Sequence, residues 1–137
     1  EVLRVPNIII CGHSQCGAIQ AVLSQVGADR LPAVKAWCGH AEATRRIVHE
    51  QYQGLPAAEL AVVTTEQNVL VQMANLGTHP SVAARVASGT LQVFGWYYDI
   101  GQGQVWQFDQ SQRRFVELGT EALAAQTLPI RCTERLV

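Results

Sequence analysis

The sequence has few charged residues, and their two signs are nearly balanced. Only 15% of its 137 residues are charged, and ten basic against eleven acidic residues give a formal net charge of −1. Proteins that bind nucleic acid or an anionic membrane typically carry a basic excess, so we expect neither partner. The sequence also lacks an apolar run of transmembrane length, a low-complexity linker and internal repeats.

Cysteine is also scarce and unevenly placed, at Cys11, Cys16, Cys38 and Cys132. Small secreted proteins held together by disulfides carry denser cysteines, so this pattern favours reduced, intracellular cysteines and metal binding over disulfides. Hydrophobic residues make up 48% of the chain, which is typical of a globular domain with a core of its own.

The stretch over residues 7–17 carries the strongest local signals. Residues 8–10 are three isoleucines, which predicts a strand buried on both faces, and Gly12 is expected to end it. A strand of this kind needs neighbours on both sides, so we expect further strands upstream. A sharp turn from strand to helix puts the turn residues at the carboxyl edge of a sheet, where open α/β folds bind ligands.

Hydrophobic periodicity predicts four helices after this strand, over residues 15–26, 31–53, 56–76 and 80–88. The second of them has an apolar stripe that begins at Trp37. Strands are expected over residues 90–98 and 104–108, joined by a glycine-containing turn, with a third over 113–118. This order predicts an α/β fold in which helices flank a mostly parallel sheet with an antiparallel edge hairpin.

His13 and Cys16 lie three residues apart in the turn after the first predicted strand. An imidazole and a thiolate at this spacing can bind one Zn²⁺, but a tetrahedral site needs two more ligands. Cys11 precedes Gly12 in the predicted strand and is expected to be a small buried residue of the sheet. Cys38 and His40 are a poor chelating pair, because residues two apart on a helix face different ways.

The same turn also nearly matches a serine hydrolase motif. Gly12-His13-Ser14-Gln15-Cys16 approaches G-x-S-x-G, the nucleophile elbow between a strand and a helix. Cys16 replaces the last glycine, and no histidine follows His79 to complete the usual order of serine, acid and histidine. A serine hydrolase that uses Ser14 is therefore the less favoured alternative to a zinc site.

Three motifs in this order resemble the β-class carbonic anhydrases. Residues 11–18 resemble the family's second zinc motif, H-x-x-C followed by glycine. Residues 66–80 resemble its late helix and the following turn, and residues 91–103 resemble its G-W-x-Y-D-x-x-x-G strand and hairpin. Trp37 and residues 41–46 look most like the carboxysomal members from cyanobacteria. The resemblance covers residues 1–118 as the C-terminal portion of a catalytic domain and leaves 119–137 as a tail.

The resemblance implies an enzyme, a lyase that interconverts CO₂ with bicarbonate and a proton through a zinc-bound hydroxide. His13 and Cys16 would be ligands of Zn²⁺, and Gly17, which has no Cβ, would let its backbone approach the substrate. The family's other zinc motif, C-x-D-x-R, supplies a thiolate and an Asp–Arg pair and occurs nowhere in this chain. Catalytic residues are therefore unassigned here, and activity would need residues from upstream.

The missing motif leaves alternatives open. The chain could belong to an active carbonic anhydrase or to a catalytically incomplete homologue that serves as an assembly or interaction module. Hydrolysis of carbonyl sulfide or carbon disulfide uses the same kind of site and is a further alternative. The resemblance also implies a homodimer or larger homo-oligomer in the cytoplasm, with the carboxysome and its shell or scaffold proteins as an alternative location and alternative partners.

Overall fold

A computed structural model describes residues 2–24 and 31–119. Within these residues one strand is followed by five helices and three further strands. The strands are β1 (Asn7–His13), β2 (Gln92–Asp99), β3 (Gln104–Asp109) and β4 (Arg114–Glu117). The helices are α1 (Gly17–Ser24), α2 (Pro32–Cys38), α3 (Glu42–Gln51), α4 (Ala57–Gly77) and α5 (Pro80–Ala87), with a 3₁₀ turn at Gly39–Ala41.

The described strands form one mixed sheet in the order β1-β2-β3-β4. β1 runs parallel to β2, so that Asn7 lies opposite Gln92 and His13 lies opposite Tyr98. The pairs β2–β3 and β3–β4 are antiparallel. The predicted α/β class, with flanking helices and an antiparallel edge hairpin, is confirmed, and β1–β2 is the only parallel pairing among the described strands.

Two glycines on neighbouring strands make room for α4. An added Cβ at Gly12 of β1 would lie 2.5 Å from Thr65 Cγ2, and one at Gly95 of β2 would lie 2.9 Å from Val69 Cγ1. Val69 is only 1% exposed, because it packs against both strands. The expectation that Gly12 ends the strand is wrong, because this residue lies inside β1 and lets α4 pack closely against it.

Three buried threonines of α3 and α4 have paired hydroxyls, and one of them joins the two helices. Thr44 of α3 is fully buried and donates to Asn68 Oδ1 of α4 at 3.1 Å. Thr64 and Thr65 donate to backbone carbonyls one turn earlier in α4, at 2.6 and 2.8 Å. The predicted helix over residues 56–76 is confirmed, and these polar residues belong to its buried side.

The predicted helix over residues 31–53 is two helices, because the 3₁₀ turn at Gly39–Ala41 separates α2 from α3. Glycine is a poor helix former, which fits a break at this point. No residue of α2 is buried, and Trp37 is 75% exposed instead of starting an apolar stripe. Its ring packs edge-on against His40 with centroids 5.3 Å apart. The described part of α1 begins two residues later than predicted, at Gly17.

β1 is a half-exposed strand rather than one buried on both faces. Exposure alternates along it, and Ile9 is 46% exposed, because α4 covers the opposite face and only β2 pairs with β1 among the described strands. Cys11 is exposed rather than buried, since alternate strand residues share a face and it lies beside Ile9 and His13. We call this surface the open face; it consists of Ile9, Cys11, His13 and their β2 neighbours Phe94, Trp96 and Tyr98.

The remaining elements follow the predictions to within two residues. α5 begins at Pro80, with His79 in an extended conformation before it, and three strands follow. Arg85 of α5 donates through Nη2 to the carbonyls of Val5 and Thr90, both at 2.9 Å, which ties together the segments that lead into β1 and β2. Among the described helices, none has the length and apolar character needed to cross a membrane. The predicted tail lies outside the described residues beyond Gly119.

Candidate metal centre

The turn between β1 and α1 carries the two predicted zinc ligands. His13 is the last residue of β1, and Cys16 immediately precedes Gly17, the first residue of α1. The backbone N–H of Gln20 donates to the carbonyl of Cys16 at 3.1 Å, so Cys16 stands at the N-terminal cap of the helix. The turn lies at the carboxyl end of the parallel pair β1–β2, which is the predicted position for a ligand site.

The backbone fixes the imidazole of His13. Its Nδ1 lies 2.8 Å from the carbonyl oxygen of Ser14, and because a carbonyl only accepts, Nδ1 must carry the proton in this bond. The neutral ring then has its free lone pair on Nε2. Metal-binding histidines are commonly oriented by a second hydrogen bond of this kind. His13 lies on the open face and is an exposed residue.

Cys16 has a free, partly buried thiol at the start of α1. Cysteine sulfur and histidine nitrogen are both common ligands of Zn²⁺. The chemistry of His13 and Cys16 therefore fits two positions of a tetrahedral Zn²⁺ site. No group of three or more His, Cys, Asp or Glu residues within 2–24 and 31–119 could hold a metal ion, so these residues do not complete the site.

Gly17 is exposed and directly follows Cys16, the second candidate ligand. An added Cβ at this position would have no neighbour within 4 Å, in contrast to the crowded Gly12. Packing among the described residues therefore gives no reason for glycine at position 17. A pocket role, in which the backbone of Gly17 faces the substrate, stays a prediction.

Ser14 joins the turn to the neighbouring strand. Its N–H donates to the carbonyl of Tyr98 at 2.9 Å, and its Oγ donates to Asp99 Oδ1 at 3.4 Å and accepts from Ile100 N–H at 2.9 Å. Among the described residues no histidine side chain bonds to Ser14 Oγ, and the strained φ of +59° belongs to Gln15. Neither feature matches a nucleophile elbow, in which the serine itself occupies the strained position.

Asp99 organises the turn that receives Ser14. Its Oδ1 accepts from the backbone N–H groups of Gly101 at 2.8 Å and Gln102 at 3.2 Å, and its carbonyl accepts from Gly103 N–H at 2.8 Å. Gly103 has a φ of +66°, which glycine adopts without strain. The aspartate and glycines of this turn were visible in the sequence, but the contact with Ser14 was not, because the two residues are 85 positions apart.

Two titratable groups near this turn have raised pKa values that the sequence did not predict. Burial raises the pKa of the Glu66 carboxyl, on α4, to about 6. Burial also raises the pKa of Tyr97, the neighbouring carboxylates of Asp99 and Glu66 add to the rise, and a hydrogen bond with the Ser14 side chain opposes it. A polar cluster therefore lies between α4 and the β1–α1 turn.

The comparison with known families decides the class of this chain. The sequence profile of the carbonic anhydrase family matches residues 1–105. The chain belongs to this family. A carbonic anhydrase of Pseudomonas aeruginosa is 44% identical over 117 residues, which are 85% of this chain and 53% of the relative. One of Synechococcus elongatus is 40% identical over 111 residues, or 80% of this chain and 40% of the relative. The chain thus spans about half the length of these curated relatives.

A solved structure places this carbonic anhydrase chain in the β class. The β-carbonic anhydrase CcaA is 38% identical and superimposes with a TM-score of 0.82. The match covers 85% of this chain and 57% of that one. The agreement confirms the predicted family and the fold of the described residues.

Proposed function

We propose that the natural-length protein converts CO₂ and water reversibly to bicarbonate and a proton at a Zn²⁺ ion bound by His13 and Cys16. The observation that carries this proposal is the turn at the carboxyl end of β1. There a backbone carbonyl holds Nδ1 of His13, leaving Nε2 free, three residues before a free thiol. Family membership supplies the reaction class.

The residues of the turn have separate tasks in this proposal. Bound Zn²⁺ is a Lewis acid that makes water a nucleophile near neutral pH. His13 would bind the metal through the lone pair of Nε2, with its ring held by the Ser14 carbonyl, and Cys16 would bind it through the thiolate at the start of α1. Gly17 leaves backbone open to the substrate. The apolar and aromatic residues of the open face suit CO₂, which is itself apolar.

The remaining ligands and the family's Asp–Arg pair would come from residues outside this chain. The described residues hold no set of three metal-binding side chains, and C-x-D-x-R is absent from the sequence. The exposed side chains of β1 offer a surface beside which such residues can lie. The same observation supports the second candidate, a catalytically incomplete homologue that acts as an assembly or interaction module.

CO₂ hydration by the natural-length protein tests the proposal. We expect the wild type to be active and His13→Ala and Cys16→Ser to lose nearly all turnover, because each removes a zinc ligand. His49→Ala and Cys38→Ser make the same chemical changes away from the turn and should retain activity. Absence of turnover in the wild type, with zinc bound and thiols reduced, would favour the assembly module.

Chelation separates the zinc mechanism from the serine hydrolase alternative. We expect removal of Zn²⁺ to abolish CO₂ hydration and its return to restore it. A hydrolase that uses Ser14 would instead cleave esters equally well with and without a chelator. Carbonyl sulfide and carbon disulfide, assayed beside CO₂, would show which substrate the site prefers.

We also propose that the protein forms a homodimer or larger homo-oligomer. Ile9, Cys11 and Tyr98 expose apolar surface on the open face, which a second subunit can cover. The cytoplasm, with the carboxysome as an alternative, is the proposed location. The exposed indole of Trp37 would be a contact for a carboxysomal shell or scaffold protein. Residues 41–46 beside it include the ion pairs of Glu42 with Arg45 and Arg46, both 2.8 Å long.

A further inference from the structure

Ser14 is bonded through every polar group that it has. Its N–H and Oγ bond to β2 and to the turn that follows it, through Tyr98, Asp99 and Ile100. Its carbonyl oxygen accepts from Nδ1 of His13 at 2.8 Å. One residue thus contacts both the imidazole and the neighbouring strand.

The position of the Ser14 carbonyl decides where the imidazole points. The peptide that carries this oxygen continues into Gln15, whose φ of +59° is a left-handed conformation that is unfavourable for a residue other than glycine. The turn that contains Gln15 therefore needs contacts that stabilise this conformation. The side-chain bonds of Ser14 are such contacts, because they attach the turn to a separate element.

The attachment point on the other side is well fixed. Asp99 Oδ1 also accepts from the N–H groups of Gly101 and Gln102, so its carboxylate has little freedom to move. The Ile100 N–H that donates to Ser14 Oγ belongs to the same turn. The hydroxyl of Ser14 therefore links the β1–α1 turn to the β2–β3 turn, in addition to the backbone bond from Ser14 N–H to the Tyr98 carbonyl.

We infer that Ser14 is a positioning residue of the zinc site: its side chain fixes the β1–α1 turn to the β2–β3 turn, and its carbonyl thereby orients His13 Nε2 toward the metal. This inference rests on the proposed function, since it requires that His13 binds Zn²⁺. It assigns Ser14 no contact with substrate and no nucleophilic role.

Zinc affinity of the natural-length protein tests the inference. Metal-free protein is titrated with Zn²⁺ against a chromophoric chelator, and the free energy of unfolding of the metal-free form is measured in parallel. We expect Ser14→Ala to raise the Kd for Zn²⁺ by about 10-fold or more, as for other residues that orient a metal ligand. Ser14→Thr, which keeps the hydroxyl, should bind Zn²⁺ about as tightly as the wild type.

Ser111→Ala is the matched control. Ser111 Oγ also donates to an aspartate within a β-turn, Asp109 Oδ1 at 2.6 Å, but in the β3–β4 hairpin. Its loss should leave the Kd for Zn²⁺ unchanged. Substitution of Co²⁺ for Zn²⁺ adds a spectroscopic readout, and we expect the d–d bands of Ser14→Ala to shift because the imidazole is less well oriented.

The outcomes separate the two proposals. A wild type that fails to bind Zn²⁺ overturns the proposed function. If the wild type binds Zn²⁺ and Ser14→Ala has the same Kd and the same Co²⁺ spectrum, only the positioning role is overturned. It is also overturned if Ser111→Ala loses as much zinc affinity as Ser14→Ala. If Ser14→Ala does not fold, Asp99→Asn replaces it, because that change weakens the bond to Ser14 by removing the negative charge. An unchanged Kd in folded Asp99→Asn would likewise overturn the inference.

Discussion

At the residue scale, packing leaves no room for a side chain at Gly12. An added Cβ would lie 2.5 Å from Thr65 Cγ2 and 3.0 Å from Val69 Cγ2, and both belong to stiff, buried side chains of α4. We therefore expect Gly12→Ala to lower the free energy of unfolding by about 1–3 kcal/mol, the usual cost of overpacking. Chemical denaturation of the natural-length protein measures this loss.

Two further variants test whether the clash at Gly12 is the cause. Thr65→Ser removes the nearest methyl group and keeps the hydroxyl that donates to Ala61, so it should recover part of the loss in the double mutant. Gly39→Ala is the matched control, because its Cβ would meet no atom within 4 Å and its φ of −58° suits alanine. A loss in Gly39→Ala as large as that in Gly12→Ala would contradict the explanation.

At the residue scale, the sequence predicted the chemistry of the candidate ligands better than it predicted the contacts and exposure of individual side chains. The donor atoms and spacing of His13 and Cys16 are local properties, so both residues could be singled out and found on the expected turn. The contacts of Ser14 could not, because its partners lie on β2 and beyond, 85 residues along the chain. Cys11 was misplaced because its exposure depends on what covers β1.

At the scale of elements, α4 contains a carboxyl, that of Glu66, whose titration should change the free energy of unfolding in a defined direction. Burial raises the pKa of Glu66 to about 6 from an ordinary value of 4.5. Between these values the folded state binds more protons than the unfolded state, so the free energy of unfolding falls as the pH rises through this range. Glu66→Gln removes the effect, and we expect its stability advantage over the wild type to grow from pH 4 to about 7 and then stay constant.

Glu42 provides a control of opposite sign on α3. Its hydrogen bonds with Arg45 and Arg46 lower the pKa of this exposed carboxyl to about 2. Its stabilising contribution is therefore present above the unfolded pKa and lost as the pH falls toward 2. Denaturation curves at several pH values for the wild type, Glu66→Gln and Glu42→Gln check both signs. A stability difference for Glu66→Gln that does not change with pH would contradict its burial.

Elements differ in how far the sequence could predict them. α4 was predicted nearly to the residue, because helical periodicity over 21 residues is a local signal. The break between α2 and α3 was not predicted, because the helical spacing of apolar residues that begins at Trp37 continues past Gly39. The three isoleucines of β1 correctly predicted a strand but not its exposure, which depends on the elements beside it.

At the scale of the whole molecule, residues 2–24 and 31–119 cover the two faces of the sheet unequally. α4 packs on one side through Gly12 and Gly95, whereas Ile9, Cys11 and His13 lie on the open face. The candidate ligand His13 therefore lies where another part of the protein, or a second subunit, can approach it. Groups that approach from that side would complete a site to which this turn contributes two candidate ligands. The central claim is therefore that His13 and Cys16 bind the zinc.

X-ray absorption at the zinc edge of the natural-length protein tests this claim most directly. The wild type should show Zn–S scattering at about 2.3 Å and Zn–N scattering at about 2.0–2.1 Å. We expect Cys16→Ser to lose one sulfur scatterer and His13→Ala to lose one imidazole, while Cys38→Ser and His49→Ala match the wild type. Zinc bound with an identical ligand shell in all four variants would show that His13 and Cys16 do not hold the metal.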